Sequence, residues 1–302
     1  MDTTDLFVIM PTTRGIGAVK SIQSASKQVG FSNIVVLVAG KSSNDQELRR
    51  RCTACFGDAV RILPCPDKEH ILPGEARNLG IDYVFSHGDK GSYLLFLDDD
   101  IVLPPDYAIV LKCFVDKYDL SAAMGRVVSY PINFWSKVID YSNFWWLQQT
   151  RNCIDRGWLG AGATLMKTEN TENIRFLTDI SVNEDTEFFD QVTHSTGKKL
   201  GICSSTTCQH CHNRSSLPGL IRYQFLNGYY GEIYSYKKGK SLLLQAVRRW
   251  KNSCYVALGA NRKYLETHLI EALGITVSFL LVEIGSLSAE LIRGGSKKWK
   301  TK

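Results

Sequence analysis

An uninterrupted apolar run that ends in three carboxylates constrains the fold of this chain more than any other feature. The run is YLLFL, Tyr93 to Leu97, and Asp98, Asp99 and Asp100 follow it directly. A continuous apolar run of this length is typical of a strand buried on both faces. Because unpaired buried carboxylates cost several kcal/mol, the strand must end either at solvent or at a cation. In an open α/β sheet, ligands bind at that end of the strands.

Strand-like and helix-like segments alternate in the N-terminal third of the chain. Apolar runs lie at Leu6 to Met10, Asn33 to Gly40 and Ala59 to Leu63. Between them, and before the acidic strand, are segments with helical spacing: Gly17 to Gln28, Asp45 to Phe56 and Gly74 to Phe85. This alternation predicts an α/β fold with a mostly parallel central sheet, right-handed crossovers and helices on both faces.

Composition and charge narrow the class of protein. The chain has 302 residues, of which 44% are hydrophobic and 22% charged, so we expect a globular protein with a substantial core and not a disordered one. No charged-then-apolar leader precedes Leu6, so we expect a cytoplasmic protein. From Lys237 onward there are 13 Lys and Arg against 4 Glu. A basic tail of this kind suits phosphate, either of lipid headgroups or of nucleic acid.

Two polar segments outside the acidic strand are candidate binding elements. The turn after the first strand, Pro11 to Gly15, combines hydroxyls, a cation and a glycine, which suits phosphate or nucleotide binding. An ordinary strand-to-helix turn uses the same residue types. Arg77 and Asn78, on the helix before the acidic strand, form either part of the same site or a surface pair.

Five motifs, in order, resemble those of the GT-A glycosyltransferases, specifically the inverting family 2 type that includes rhamnosyl-, glucosyl- and N-acetylglucosaminyltransferases of bacterial polysaccharide assembly. The motifs are PTTRG from Pro11, GEARNLG from Gly74, LDDDIVLPPD from Leu97, GWLGAGATLMK from Gly157 and NEDTEFF from Asn183. The resemblance covers residues 5 to 230. It implies a GT-A catalytic domain over residues 1–230 and a basic helical extension over residues 231–302.

The resemblance implies a metal-dependent donor site. In this chemistry a nucleoside diphosphate leaves the sugar, and Mg²⁺ or Mn²⁺ held by carboxylates offsets its charge. By resemblance Asp98 faces the ribose or uracil, Asp100 binds the metal through the diphosphate, and His210, with His212 as the alternative, completes the metal site. Strand alternation puts Asp99 on the opposite face, so its assignment is either to the donor site or to a structural role. The remaining residues assigned to the donor are Pro11, Thr12, Arg14 and Arg77.

The resemblance also implies a general base and an acceptor site. Inversion requires a base that deprotonates the acceptor hydroxyl, and Asp185 in NEDTEFF is assigned to it, with Glu184 orienting the base or the acceptor. The alternative is an acidic helix N-terminus favoured by the helix dipole. Trp158 and Gly160 on the glycine-rich strand are assigned to the acceptor, since aromatic rings pack on sugar faces.

Two segments depart from related patterns. The second strand ends Val38-Ala39-Gly40-Lys41 where relatives carry Asp-Asp-Gly-Ser, so no carboxylate follows directly to read the base. Asp45 is the nearest substitute, and the donor stays open among UDP-, GDP- and dTDP-sugars. In QAVRRW, three residues separate Gln245 from the pair Arg249-Trp250, whereas the processive synthases have Gln-x-x-Arg-Trp, with two. We therefore predict non-processive transfer.

The resemblance as a whole implies a metal-dependent inverting hexosyltransferase. It would move a sugar from a nucleotide-sugar to a hydroxyl of a glycan or lipid-linked acceptor in cell-surface polysaccharide assembly. Two rival classes are a nucleotidyltransferase with a similar sheet and a non-catalytic nucleic-acid-binding protein that uses the basic tail; the transferase prediction expects no nucleic acid partner.

An apolar stripe near the C-terminus predicts a helix that lies on a protein core or on a bilayer. With the basic tail it favours peripheral attachment to the anionic inner face of the cell membrane. Its members are Leu269, Leu273, Leu280, Ile284, Leu287 and Leu291.

Overall fold

The fold is described from a computed structural model of the chain. The described residues are 5–40, 45–64, 71–87, 92–148, 150–180, 183–212, 216–237, 239, 247, 250, 251, 254, 258 and 269–295. The chain divides into two compact units, of which the first comprises residues 1–128 and 149–211 and the second comprises residues 129–148 and 212–302. The sequence-based boundary after residue 230 does not coincide with the boundaries of these units. Residue 230 lies inside the helix Leu217–Lys237 of the second unit.

A single sheet forms the centre of the first unit. In the described part of the chain it has nine strands, in the order β3-β2-β1-β4-β8-β6-β9-β5, with β7 paired to β9. The strands are β1 Asp5–Pro11, β2 Asn33–Ala39, β3 Val60–Ile62, β4 Tyr93–Leu97, β5 Ile101–Val102, β6 Ala122–Ser129, β7 Cys153–Arg156, β8 Ala163–Lys167 and β9 Leu200–His210.

The sheet is parallel in its N-terminal half and mixed beyond it. Strands β3, β2, β1 and β4 pair in parallel, as the alternation predicted. Strand β8 pairs antiparallel with both β4 and β6, and β9 pairs antiparallel with β5 and β7. Because Ala163 pairs with Leu97, β8 enters the sheet at the edge where β4 ends and must run the other way. The expectation of a mostly parallel sheet is therefore correct only for the first four strands.

Five helices of the first unit accompany this sheet in the described residues. The helices predicted from periodicity before β4 are all present, and α2 begins at an Asp45 side chain that accepts hydrogen bonds from the amides of Glu47 and Leu48. Asp45 is thus a helix cap. The five are α1 Val19–Ser26, α2 Gln46–Phe56, α3 Pro73–His87, α4 Tyr107–Tyr118 and α6 Glu184–Thr196.

The core explains how the candidate residues are positioned. All five residues of YLLFL in β4 are buried, so the strand delivers its following carboxylates from the centre of the sheet. Helix α3 packs on β1. A Cβ at Gly80 would lie 2.5 Å from Ile9 Cγ2, so this glycine permits the close approach of α3 to β1. The approach brings Arg77, one turn earlier on α3, against the sheet edge.

The second unit is built from helices in its described residues. They are α5 Phe134–Ser142, α7 Leu217–Lys237 and α8 Leu269–Gly295. A Cβ at Gly228 would collide with the backbone of Val282, and one at Gly285 with that of Phe225, so α7 and α8 pack backbone to backbone. Gln224 of α7 is buried and donates to Ser278 of α8. Within the described residues, no helix is both long and apolar enough to cross a bilayer.

Candidate active site

Asp98 points towards helix α3. Its Oδ1 accepts a hydrogen bond of 2.8 Å from the Arg77 guanidinium, and its side chain is 37% exposed. The second carboxylate oxygen, Oδ2, faces Gly162. A Cβ at that position would lie 3.0 Å from Oδ2, so the absence of a side chain there leaves this oxygen open on that side. Asp98 is the most exposed of the three aspartates at the end of β4, as the assignment to a donor requires.

Asp99 points the other way, into the turn after β1. One of its carboxylate oxygens accepts hydrogen bonds from the Thr12 hydroxyl at 3.0 Å and from the amides of Thr13 at 2.9 Å and Arg14 at 3.2 Å. Burial raises the pKa of Asp99, although the hydrogen bonds from the Thr13 amide and the Thr12 hydroxyl act against the rise. Asp99 therefore organises the turn, which agrees with the structural alternative. Thr12, assigned to the donor, is itself buried and uses its hydroxyl on Asp99.

Asp100 lies next to a cation and a histidine. Its Oδ2 is 2.8 Å from Arg14 Nη2, and its Oδ1 is 3.2 Å from His210 Nε2, at the end of β9. The Arg14 side chain is 34% exposed, so it remains accessible to an anion. The structure thus brings together Arg14, Asp100 and His210 from three strand ends, as the sequence assignment expected. His212 instead lies 2.7 Å from the Ser129 hydroxyl in the second unit.

The Asp100 and His210 side chains suit a divalent cation that is also bound by phosphate. Mg²⁺ is held in many sites by one or two carboxylates together with substrate phosphates, and Mn²⁺ accepts imidazole as well as carboxylate. Among the described residues, no group of three or more His, Cys, Asp and Glu side chains is arranged to hold a metal alone. Asp100 and His210 supply two ligands and leave the other coordination positions of such a cation to phosphate oxygens or water.

Arg77 joins the end of β4 to the start of α6. Its side chain is 5% exposed, and its two terminal nitrogens donate to Asp98 Oδ1 at 2.8 Å and Glu184 Oε1 at 2.9 Å. Burial alone would lower the pKa of Arg77, but the carboxylates of Asp98 and Glu184 raise it above its ordinary value. Arg77 is therefore a fixed charge inside the protein, whereas the sequence assigned it to direct contact with donor phosphate or base.

Asp185 is the second residue of α6, next to Glu184, and is partly buried. Burial, and next the negative charge of Glu184, raise the pKa of Asp185 to about 7, while Arg77 acts in the opposite direction. A carboxylate with a pKa near neutrality is suited to take a proton at physiological pH. A Cβ at Gly160 would lie 3.5 Å from Asp185 Oδ2, so a backbone without side chains faces this carboxylate.

A pair of glycines before β8, Gly160 and Gly162, lies beside the carboxylates of Asp185 and Asp98. Gly162 borders Asp98 and Gly160 borders Asp185, and the amide of Asp98 donates to the Gly162 carbonyl at 2.8 Å. Sequence reasoning assigned Gly160 to the acceptor and missed Gly162, although the repeated Gly-x-Gly was the available signal. Trp158 is 37% exposed two residues earlier, and Pro11 closes β1.

Comparison with known proteins identifies the architecture. No protein-family model matches the sequence, and no curated protein matches it either. The crystal structure of S. aureus TarS 1–349 matches with a TM-score of 0.55 at 13% sequence identity, covering 97% of this chain and 92% of the TarS 1–349 chain. The chain has the GT-A fold. This outcome confirms the predicted fold class.

Two ligand-bound structures with the GT-A architecture also match. TarS 1–349 in complex with UDP has a TM-score of 0.50 at 13% identity, covering 97% of this chain and 92% of that one. GalNAc-T7 with UDP, GalNAc and Mn²⁺ has a TM-score of 0.50 at 12% identity, covering 77% of this chain and 50% of that one.

Removing the Arg77 charge is expected to destabilise the protein strongly. Arg77→Met leaves the carboxylates of Asp98 and Glu184 without their shared cation, which costs about 3 kcal/mol for a buried pair with one partly exposed member. Urea unfolding at neutral pH measures the change. Arg61→Met is the matched control, because Arg61 is 51% exposed and pairs with an exposed Asp58 at 3.6 Å. Equal urea midpoints for wild type and Arg77→Met would contradict the role of Arg77 as the shared cation of Asp98 and Glu184.

Proposed function

We propose that this protein is a glycosyltransferase that moves a sugar from a nucleotide-sugar to an acceptor hydroxyl with inversion. The observation that carries the proposal is the pair of carboxylates beside the glycine pair. Asp98 follows β4 and lies beside Gly162, while Asp185 lies in the first turn of α6 beside Gly160 and has a raised pKa. The side of Asp98 suits a donor with its cation, and the side of Asp185 suits a general base. An inverting transfer requires both.

The donor half of the proposal uses Arg14, Asp98, Asp100 and His210. A divalent ion bound by Asp100 and His210 would supply positive charge next to the departing diphosphate. Arg14 is exposed and adds a second positive charge there. The GT-A structures of TarS with UDP and of GalNAc-T7 with UDP, GalNAc and Mn²⁺ support a UDP-sugar and Mn²⁺ as the first ligands to test. Because Asp45 caps α2, base recognition by this carboxylate is not part of the proposal.

The acceptor half of the proposal uses Asp185 and the glycine pair. In its deprotonated form Asp185 would remove the proton from the attacking hydroxyl as the bond to the sugar forms. Glu184 is held by Arg77 and therefore acts as a positioning residue that also raises the pKa of Asp185. The open backbone at Gly160 leaves room for the acceptor, and Trp158 offers an exposed ring for a sugar face.

The broader biological role follows from the resemblance of the sequence motifs. We propose family 2 type chemistry, without processive synthesis, on a glycan or lipid-linked acceptor of cell-surface polysaccharide. An inner-face peripheral location would bring the enzyme to such an acceptor, and the basic residues after Lys237 would supply the attraction to anionic lipid.

A donor screen tests the proposed activity. The purified protein is incubated with UDP-, GDP- and dTDP-sugars, with Mn²⁺ or with EDTA, and both thermal shift and nucleoside diphosphate release are measured. We expect stabilisation by one class of UDP-sugar that EDTA removes, since a ligand at 100 times its Kd adds about 2.7 kcal/mol. Release of pyrophosphate from a nucleoside triphosphate would instead identify a nucleotidyltransferase. No response to any nucleotide-sugar would refute the proposal.

A further inference from the structure

Helix α8 exposes a continuous apolar stripe along its length. On its other side, Ile275, Ser278, Ser286 and Ala289 are buried within the second unit, where α8 packs against α5 and α7. A helix that is apolar on all sides is expected to be buried on all sides. The exposed stripe has seven members, which are 48–77% exposed: Ile270, Leu273, Val277, Leu280, Ile284, Leu287 and Leu291.

The spacing of the exposed stripe is that of a coiled-coil seam. Successive members are separated by three and four residues in strict alternation, a mean of 3.5 that keeps one seam facing a partner helix. A β-branched residue at a and leucine at d favour two parallel strands. Here the a positions are Ile270, Val277, Ile284 and Leu291, and the d positions are Leu273, Leu280 and Leu287.

The area of the exposed stripe is large enough for a specific interface. At roughly 100 Å² of exposed apolar surface for each member, the stripe presents on the order of 700 Å². Specific interfaces bury about 800 Å² on each partner. The largest apolar patch on an ordinary monomer is about 300–600 Å². The stripe therefore exceeds an ordinary surface patch and approaches what a stable dimer requires.

Charge favours a protein partner over an anionic bilayer. Helix α8 contains Glu271, Glu283 and Glu290 against a single cation, Arg293 near its C-terminal end, and the other basic residues after Lys237 lie outside the helix. Helices that lie on anionic membranes are instead rich in Lys and Arg, whereas carboxylates are repelled by the headgroups. In this heptad Glu283 and Glu290 occupy g positions. In a parallel pair, Glu283 of one helix faces the e position of the other helix, and that position is the uncharged Ser288. An antiparallel pair would place the glutamate positions opposite each other.

We propose that the exposed stripe of α8 pairs in parallel with the same stripe of a second copy, so that the protein is a homodimer. The interface is self-complementary, as a two-fold axis requires. It covers the apolar face that the described part of the chain leaves exposed. The proposal of a homodimer does not depend on the function proposed for the first unit.

Light scattering after size exclusion tests the homodimer. Wild type is expected at twice the chain mass of 33.9 kDa. Ile284→Lys is expected to halve that mass with an unchanged circular dichroism spectrum, because it places like charges in the seam. Ile292→Lys is the matched control, since Ile292 is 54% exposed against 52% for Ile284 but lies outside the stripe, and it should remain dimeric. A monomeric wild type at the highest soluble concentration, or a trimer, overturns the proposal.

Cysteine crosslinking tests the orientation and remains informative if Ile284→Lys fails to fold. In Ile270→Cys, parallel pairing places the two introduced thiols together, so oxidation should yield a peptide joined at position 270 to itself. Antiparallel pairing separates them, and absence of that peptide overturns the parallel arrangement. Flotation with vesicles of phosphatidylserine and phosphatidylcholine provides the membrane arm. A monomer whose binding to these vesicles is lost in Ile284→Lys would assign the stripe to lipid and refute the dimer.

Discussion

Asp185→Asn is expected to reduce turnover by a factor of about 10²–10⁴ while leaving donor affinity unchanged. Asparagine keeps the shape of the side chain but cannot accept a proton from the acceptor. Burial and the charge of Glu184 raise the pKa of Asp185 to about 7, so in wild type kcat/KM should rise with pH up to neutrality and level off above it. The variant should lose this pH dependence. Initial rates over a pH series, with donor binding measured separately, give both quantities.

Asp190→Asn is the control for the base. Asp190 is on the same helix, but its side chain is 59% exposed and lies 3.6 Å from His194. The same chemical change there should leave turnover and the pH profile at wild-type values. If Asp185→Asn turned over as fast as wild type, another group would have to remove the acceptor proton.

Asp100→Ala is expected to abolish metal-dependent donor binding. The change removes the carboxylate beside His210 that is proposed to bind the metal ion. It also removes one of the two carboxylates paired with Arg14, so Arg14 could still bind a diphosphate when the metal ion is no longer held. The stabilisation of wild type by nucleoside diphosphate with Mn²⁺ should disappear, and transfer should fall by at least about 100-fold. Thermal shift with Mn²⁺ and with EDTA separates the metal contribution from that of Arg14.

Asp106→Ala is the control for the metal assignment. Asp106 precedes α4, is exposed and makes no side-chain cap to that helix. Its replacement should leave the Mn²⁺-dependent shift intact. Equal donor affinity of wild type and Asp100→Ala in the presence of Mn²⁺ would show that Asp100 does not hold the ion.

Local patterns were enough to predict the elements that bear the site. The run YLLFL is a buried strand because both of its faces are apolar, and the spacing after Gly74 forms the helix that carries Arg77. Strand alternation also separated Asp99 from Asp98, and in the structure the Asp99 carboxylate accepts hydrogen bonds from the turn after β1. These predictions rest on periods of 2.0 and 3.6 residues, which a single sequence contains.

The pairing of distant charges could not be predicted in the same way. Arg77 and Glu184 are 107 positions apart, and only the packing of α3 on β1 and the placement of α6 bring them to 2.9 Å. An arginine in a polar motif has the same local pattern whether it contacts a ligand or a buried carboxylate. Likewise, the sequence pattern could not choose between His210 and His212 as a metal ligand, because they occupy alternate positions at one strand end. The choice depends on their distant neighbours, which are Asp100 for His210 and Ser129 for His212.

The close packing at Gly80 has a consequence for how the first unit responds to a ligand. Helix α3 is fixed against β1 by the absence of a side chain there, and Arg77 is fixed in turn by two carboxylates. Folding alone therefore orients the charges around Asp98 and Asp185. A site whose dipoles are preorganised in this way needs little rearrangement when the transition state forms. Ligand binding should consequently leave the backbone of α3 where it is.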